Sequence, residues 1–168
     1  MSSALNTTKQ AFHLHDKNRI EVYDEASDVV VYDIRKGEVI TSSLLFSKEV
    51  FETFPTFSPD GKTLYFCSAD ARRMPQAYSD VRYNLCSISF DPESRVFGNR
   101  VDTLYNAGEQ GMSVSFPRVS PDGRYLLYTL SGYLYRSKKH IYAKNFFFNS
   151  FNNISFTNIF NFISKFNN

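Results

Sequence analysis

The segment Phe54-Pro55-Thr56-Phe57-Ser58-Pro59-Asp60-Gly61-Lys62-Thr63-Leu64-Tyr65-Phe66 returns 62 residues later as Phe116-Pro117-Arg118-Val119-Ser120-Pro121-Asp122-Gly123-Arg124-Tyr125-Leu126-Leu127-Tyr128. Repetition at a fixed spacing constrains a fold more than local propensity does, because equivalent residues need equivalent surroundings. Each copy is predicted to be a β-hairpin. In Ser58-Pro59-Asp60-Gly61 and Ser120-Pro121-Asp122-Gly123, Pro sets φ at the first central position of a type I turn and Asp suits the second. Gly then accepts the positive φ from which the return strand starts. The return strands Leu64-Tyr65-Phe66-Cys67 and Tyr125-Leu126-Leu127-Tyr128 are apolar on both faces. That is the pattern of a strand buried between two packed sheets.

Between the copies, Asn84 to Phe90 and Arg100 to Tyr105 read as two more strands around the turn-like Asp91-Pro92-Glu93-Ser94, which makes four strands per period. Upstream, Asp28 to Ile34 and Glu38 to Leu45 flank the short turn Arg35-Lys36-Gly37 and read as the last two strands of a preceding unit. Downstream, Arg124 to Leu130 completes a second hairpin. No amphipathic helix interrupts the series. The expected class is all-β, and a recurring four-stranded antiparallel unit is the signature of a β-propeller blade.

The pattern Phe-Pro-x-Phe/Val-Ser-Pro-Asp-Gly-Lys/Arg-x-Leu-x-Phe/Tyr resembles the WD-repeat-like motif of TolB and related envelope proteins, and that of the propellers of prolyl oligopeptidase-type peptidases. The resemblance covers roughly residues 28 to 132 and implies a partial propeller of about two blades. It also implies a bacterial periplasmic or envelope setting, although the N-terminus of this chain carries no basic-then-apolar signal pattern.

Closed propellers use about 4 to 8 blades, and this chain offers the end of one, one whole unit and the start of another. Leaving about four or five large apolar residues uncovered on a face forgoes ~6–15 kcal/mol at ~1.5–3 kcal/mol each. That is comparable to the stability of a typical domain. The expectation is therefore a piece of a larger ring that needs its remaining blades, or else a chain that associates with copies of itself. Three regions are expected: a poorly defined N-terminal segment over 1–27, the partial propeller over 28–136, and a low-complexity tail over 137–168. Residues 144–168 contain 8 Phe, 8 Asn, 3 Ile, 3 Ser, 2 Lys and 1 Thr. These types have codons rich in A and T, so the tail is expected to be the product of a frameshift or gene break. The alternative is a genuine Phe/Asn-rich segment, disordered or irregular and prone to β-aggregation.

The net charge of +2 hides an uneven distribution, with −2 over residues 1–136 and +4 over the tail, so the folded part presents no basic footprint for nucleic acid. Eight Asn in the tail argue against a membrane span. Asp60 and Asp122 are expected to serve their turns rather than act as paired acids. His13 and His15, two apart, would share a strand face but lack a third ligand at recognisable spacing, and His140 lies beyond the last strand, so no metal is expected. Cys67 and Cys86 read as two free core thiols. Gly111-Met112-Ser113-Val114-Ser115 lacks the last glycine of a nucleophile elbow, and there is no Walker loop or dinucleotide fingerprint. No cofactor and no enzymatic activity are expected.

Strand alternation puts the short turns at one end and the long connections 69–83 and 106–114 at the other. Long loops on a rigid scaffold are where binding concentrates. Arg72, Arg73, Met74, Tyr78, Arg82 and Tyr83, with Glu109 on the neighbouring loop, are the candidate contact residues, mixing charge with aromatic anchors. The expected function is a non-enzymatic module binding a protein partner or an envelope ligand. The alternatives are the propeller of a prolyl oligopeptidase-type serine peptidase, and a polysaccharide-acting propeller enzyme, which would need a His-rich metal centre.

Overall fold

The computed structural model describes residues 2–5, 12–16, 19–23, 27–72, 80–132 and 143–149. Twelve strands occur among them: β1 Ser2–Leu5, β2 Phe12–Asp16, β3 Arg19–Tyr23, β4 Asp28–Asp33, β5 Glu38–Ile40, β6 Val50–Phe57, β7 Thr63–Asp70, β8 Asn84–Asp91, β9 Val96–Tyr105, β10 Met112–Val119, β11 Tyr125–Gly132 and β12 Ala143–Asn149. The fold is all-β, and every strand pairing among the described residues is antiparallel. The central sheet is a four-stranded meander, β6-β7-β8-β9, flanked by the three-stranded sheets β1-β4-β5 and β10-β11-β12, with β2-β3 as a separate hairpin.

The two copies of the repeat take the same conformation down to single hydrogen bonds. Gly61 N–H donates to Ser58 O at 2.9 Å and Gly123 N–H to Ser120 O at 2.9 Å, and both glycines have φ of 71°. The Ser58 and Ser120 hydroxyls donate to Asp60 and Asp122 at 2.5 and 2.6 Å. Each hydroxyl also accepts the N–H of Thr63 or Tyr125. One turn earlier, Phe54 and Phe116 both sit at φ 53°, each at a β-bulge in the register of its hairpin. The extra residue at the bulge excuses the following Pro55 and Pro117 from the ladder, where a missing N–H would break a bond.

A second repetition lies in the backbone of the outer hairpins. The β4–β5 turn from Asp33 to Glu38 and the β8–β9 turn from Asp91 to Val96 close the same register. In each, the first aspartate accepts the N–H two residues on, at 2.9 and 3.0 Å, and Gly37 and Arg95 occupy matching positive-φ positions at 69° and 60°. Both hairpins of the four-stranded unit therefore recur. The two turns are also tied together, since the Arg95 guanidinium donates to Glu38 at 2.6 Å and to Asp33 at 3.3 Å.

The sheets stack face to face, each in the same sense. Leu64 and Phe66 of β7, with Ile88, Phe90 and Phe97, form one cluster with Val29, Val31 and Leu45 of the preceding sheet region. Tyr65 and Cys67, the alternate residues of β7, join Leu85 in a second cluster with Val114, Leu126, Tyr128 and Leu130 of the following sheet. β7 is thus apolar on both sides because both sides are covered. We call the side of a sheet toward its predecessor the leading face and the side toward its successor the trailing face.

Some boundaries differ from the sequence reading. β5 ends at Ile40 rather than Leu45; the chain leaves the sheet there and still buries Leu45 completely. β9 begins at Val96, four residues earlier than expected. Within 1–27, Ser2–Leu5 pairs with β4 as β1, and Phe12–Asp16 pairs with Arg19–Tyr23 as the β2–β3 hairpin. Ala143–Asn149 forms a strand paired with β11. The run Phe146-Phe147-Phe148 has the β-propensity to pair, and β11 would otherwise present an open edge.

Replacing Gly61 or Gly123 by Ala places a Cβ at a left-handed position and is expected to cost about 1–2 kcal/mol in each case. Urea unfolding should show a lower midpoint at unchanged slope.

Candidate functional site

Several of the polar groups with chemical potential are consumed by the architecture. The Ser58 hydroxyl, then the Lys62 N–H, holds the Asp60 carboxyl below its usual range. At Asp122 the Ser120 hydroxyl, the Arg124 N–H and the Arg124 guanidinium bring it down to about 2. Each carboxylate is engaged by its own turn, as the turn chemistry predicts.

Cys67 and Cys86 are both buried and free. They lie on neighbouring strands, but Cys86 stands opposite Phe66, so the two thiols emerge on opposite faces of the sheet and enter different clusters. This geometry bars a disulfide between them. Burial pushes both thiols up, the direction away from nucleophilic reactivity.

Among the described residues, the most perturbed carboxyl was not singled out by sequence. Glu52 of β6 is 2% exposed, and its Oε2 has no hydrogen-bond partner. Its backbone is clamped to the residue before β4, with Glu52 N–H donating to Ser27 O and Ser27 Oγ donating to Glu52 O, each at 2.8 Å. Burial, followed by the negative charge of Asp28, pushes the Glu52 carboxyl up to about 8, and burial also raises Asp28. Glu52 is therefore a neutral acid at pH 7. Its burial also keeps a substrate from reaching it. The alternation of β6 would have placed it on a face, but nothing local indicates that the preceding sheet covers that face.

The connections at the far end from the Ser-Pro-Asp-Gly turns hold the candidate contact residues. Arg72 is exposed just beyond β7 and is paired with Asp70 through Nε and Nη2, the latter at 2.5 Å. The Arg82 side chain lies beside Gly108, which begins the 3-10 turn Gly108–Gln110 carrying exposed Glu109. Tyr83 is a structural residue: its N–H donates to Ser113 Oγ at 3.0 Å, its carbonyl accepts from Val114, and its ring packs on the second cluster. Asn84 Oδ1 accepts the Gly108 N–H at 2.9 Å and so links the two connections. Arg82 and Glu109 are thus brought to one rim, and Arg72 stands at the same end of the sheet. Arg73, Met74 and Tyr78 lie outside the described residues.

Ser89, Asn99, Arg100 and Asp102 of β8 and β9 line a shallow polar dish of about 500 Å³, where Arg100 Nε and Asp102 pair at 2.8 Å. His13 and His15 lie on β2 opposite Val22 and Ile20, and His140 lies outside the described residues. Among the described residues no group of three or more His, Cys, Asp or Glu is placed to hold a metal, and no helix is long and apolar enough to cross a membrane. No family model and no curated protein matches the chain.

Two outcomes follow from the buried groups. Between the ordinary glutamate range near 4.5 and about 8, the folded state holds one proton more than the unfolded state, so Glu52 lowers stability progressively as pH rises through that window. Glu52→Gln, which cannot ionise, should gain on the parent across that window by roughly 1.4 kcal/mol for each unit of pH. The gain should vanish near pH 4, as read by urea midpoints across the window. Native Cys67 and Cys86 should resist alkylation by iodoacetamide until the protein is unfolded, and peptide mass mapping without reductant should find no bond between them.

Proposed function

We propose that the chain is a non-enzymatic interaction module built from consecutive blades of a TolB-like β-propeller, with the end carrying Arg72, Arg82 and Glu109 as its contact surface for a protein partner or a cell-envelope ligand. The observation that carries the reading is the like-for-like stacking of successive sheets. Leu64 and Phe66 meet the sheet before them, and their repeat equivalents Leu126 and Tyr128 meet the central sheet in the same way. Phe54 and Phe116, equivalent residues of neighbouring sheets, place their rings 4.5 Å apart. A radial series of four-stranded units is the arrangement that such stacking builds.

The binding role rests on the division between the two ends. One end is trimmed by turns whose side chains are spent on their own backbone. The other carries exposed charge on longer connections, held in place by Asn84 and Tyr83. The non-enzymatic reading goes with the state of the groups described: the turn carboxylates accept bonds from their own loops, the thiols are buried, and Glu52 is enclosed. The envelope setting comes from the motif resemblance alone.

Photo-crosslinking from positions next to Arg72 and Arg82 in a bacterial envelope extract tests the reading. Arg72→Glu with Arg82→Glu should reduce the crosslinked product at least tenfold, and Lys62→Glu at the opposite end should leave it unchanged. Equal loss from both ends, or turnover of a peptide substrate by the purified chain, would defeat it.

A further inference from the structure

The repeat identifies the faces at the two ends of the stack as well as those already packed. Within the first sheet, Val30 and Tyr32 of β4 and Val39 of β5 occupy the positions that Ile88, Phe90 and Phe97 hold in the central sheet, by the matched turns at Asp33 and Asp91. Ile88, Phe90 and Phe97 are leading-face residues packed on the preceding sheet. Among the described residues no further strand pairs with or stacks as a sheet before the first one; of the three counterparts Val30 is buried, at 8% exposure, while Tyr32 and Val39 are 40% and 60% exposed. In the third sheet, Tyr125, Leu127 and Thr129 correspond to Thr63, Tyr65 and Cys67, whose face carries the cluster with the following sheet. Arg118 stands opposite Leu127 on that side, and Tyr125 is 39% exposed. Phe116, the equivalent of the ring-stacked Phe54, is 56% exposed.

One open face is therefore a leading face and the other a trailing face, the two kinds that already meet twice inside this chain. We propose that two copies of the chain associate head to tail, the Tyr32–Val39 face of each covering the Phe116–Leu127 face of the other. This rests on the blade reading above and deepens it. A leading face on a trailing face is a heterologous contact, which closes when the rotation per unit allows and otherwise grows without limit. Two copies contribute six sheets, inside the range of about 4 to 8 at which such rings close. A second copy suits these surfaces better than an unrelated partner. The faces are sheet-shaped, they expose Tyr32 and Val39 on one side and Phe116 and Tyr125 on the other, with Arg118 beside Leu127, and they are equivalent through the repeat to faces that already meet inside the chain. The body of the chain, residues 1–136, carries a net charge of only −2, so long-range repulsion between copies is small.

The test uses the full chain. Light scattering on a sizing column should give twice the mass of the 19.4 kDa chain. Leu127→Asp and Tyr32→Asp should each return the peak to monomer mass, and mixing the two variants should restore a dimer, because each retains the face the other lacks. Since either aspartate could unfold its sheet, a second measurement is independent of stability. Single variants Tyr32→Cys and Leu127→Cys, oxidised alone, should give little crosslink. Oxidised together, they should give a disulfide that joins position 32 of one copy to position 127 of the other. A parent chain that remains monomeric, or efficient self-crosslinking of Tyr32→Cys alone, would overturn the proposal. A monomer in which Cys67 and Cys86 still resist alkylation would sink the association and leave the stacked units standing, whereas rapid alkylation would sink both.

Discussion

The structure depends on β7 being buried on both faces. A strand in a two-layer protein needs one apolar side. Leu64 and Phe66 on one side of β7, with Tyr65 and Cys67 on the other, need two covers, and the flanking sheets supply them. Burial of side chains of this size contributes about 1.5–3 kcal/mol each, so the two clusters outweigh the other contacts described. The stacking order of the three sheets follows from satisfying both sides at once.

The polar groups are arranged to leave that packing undisturbed. Asp60, Asp122 and Asp91 turn the chain at the sheet ends and bond their own loops, and Arg95 joins the turns of adjacent sheets through Asp33 and Glu38. Glu52 is the exception. It lies between β6 and the segment entering β4, with an unpaired oxygen and a carboxyl that stays protonated at neutral pH. A buried group of this kind costs stability wherever it ionises, and it makes the junction between the first two sheets sensitive to rising pH.

Much of this was legible in the residues. The Ser-Pro-Asp-Gly turns, the apolar return strands, the four strands of the central unit and the separate thiols follow from local chemistry at a fixed period, and local chemistry is what a sequence displays directly. The match between the Asp33–Glu38 and Asp91–Val96 turns was not legible. It rests on backbone conformation shared by Gly37 and Arg95, two residue types with no chemical likeness. Glu52 was missed for a related reason, since its burial depends on Ser27 and Asp28, some twenty-five residues away. Of the candidate contact residues, Arg72 and Glu109 are exposed, Arg82 is half-buried, and Tyr83 packs partly on the second cluster with its backbone bonded to Ser113 and Val114, a bridge that no local signal announces.

By itself, the sequence determined that the chain is all-β, that two hairpins are equivalent, and where each turns, because glycine, proline and aspartate act on their nearest neighbours. Tertiary structure alone decided which face of each sheet is covered, that Ala143–Asn149 joins β11, and that the end faces of the stack are of opposite kinds. Those outcomes depend on which distant surface fills a given face, and the alternation of a strand records that a face is apolar without recording what it meets.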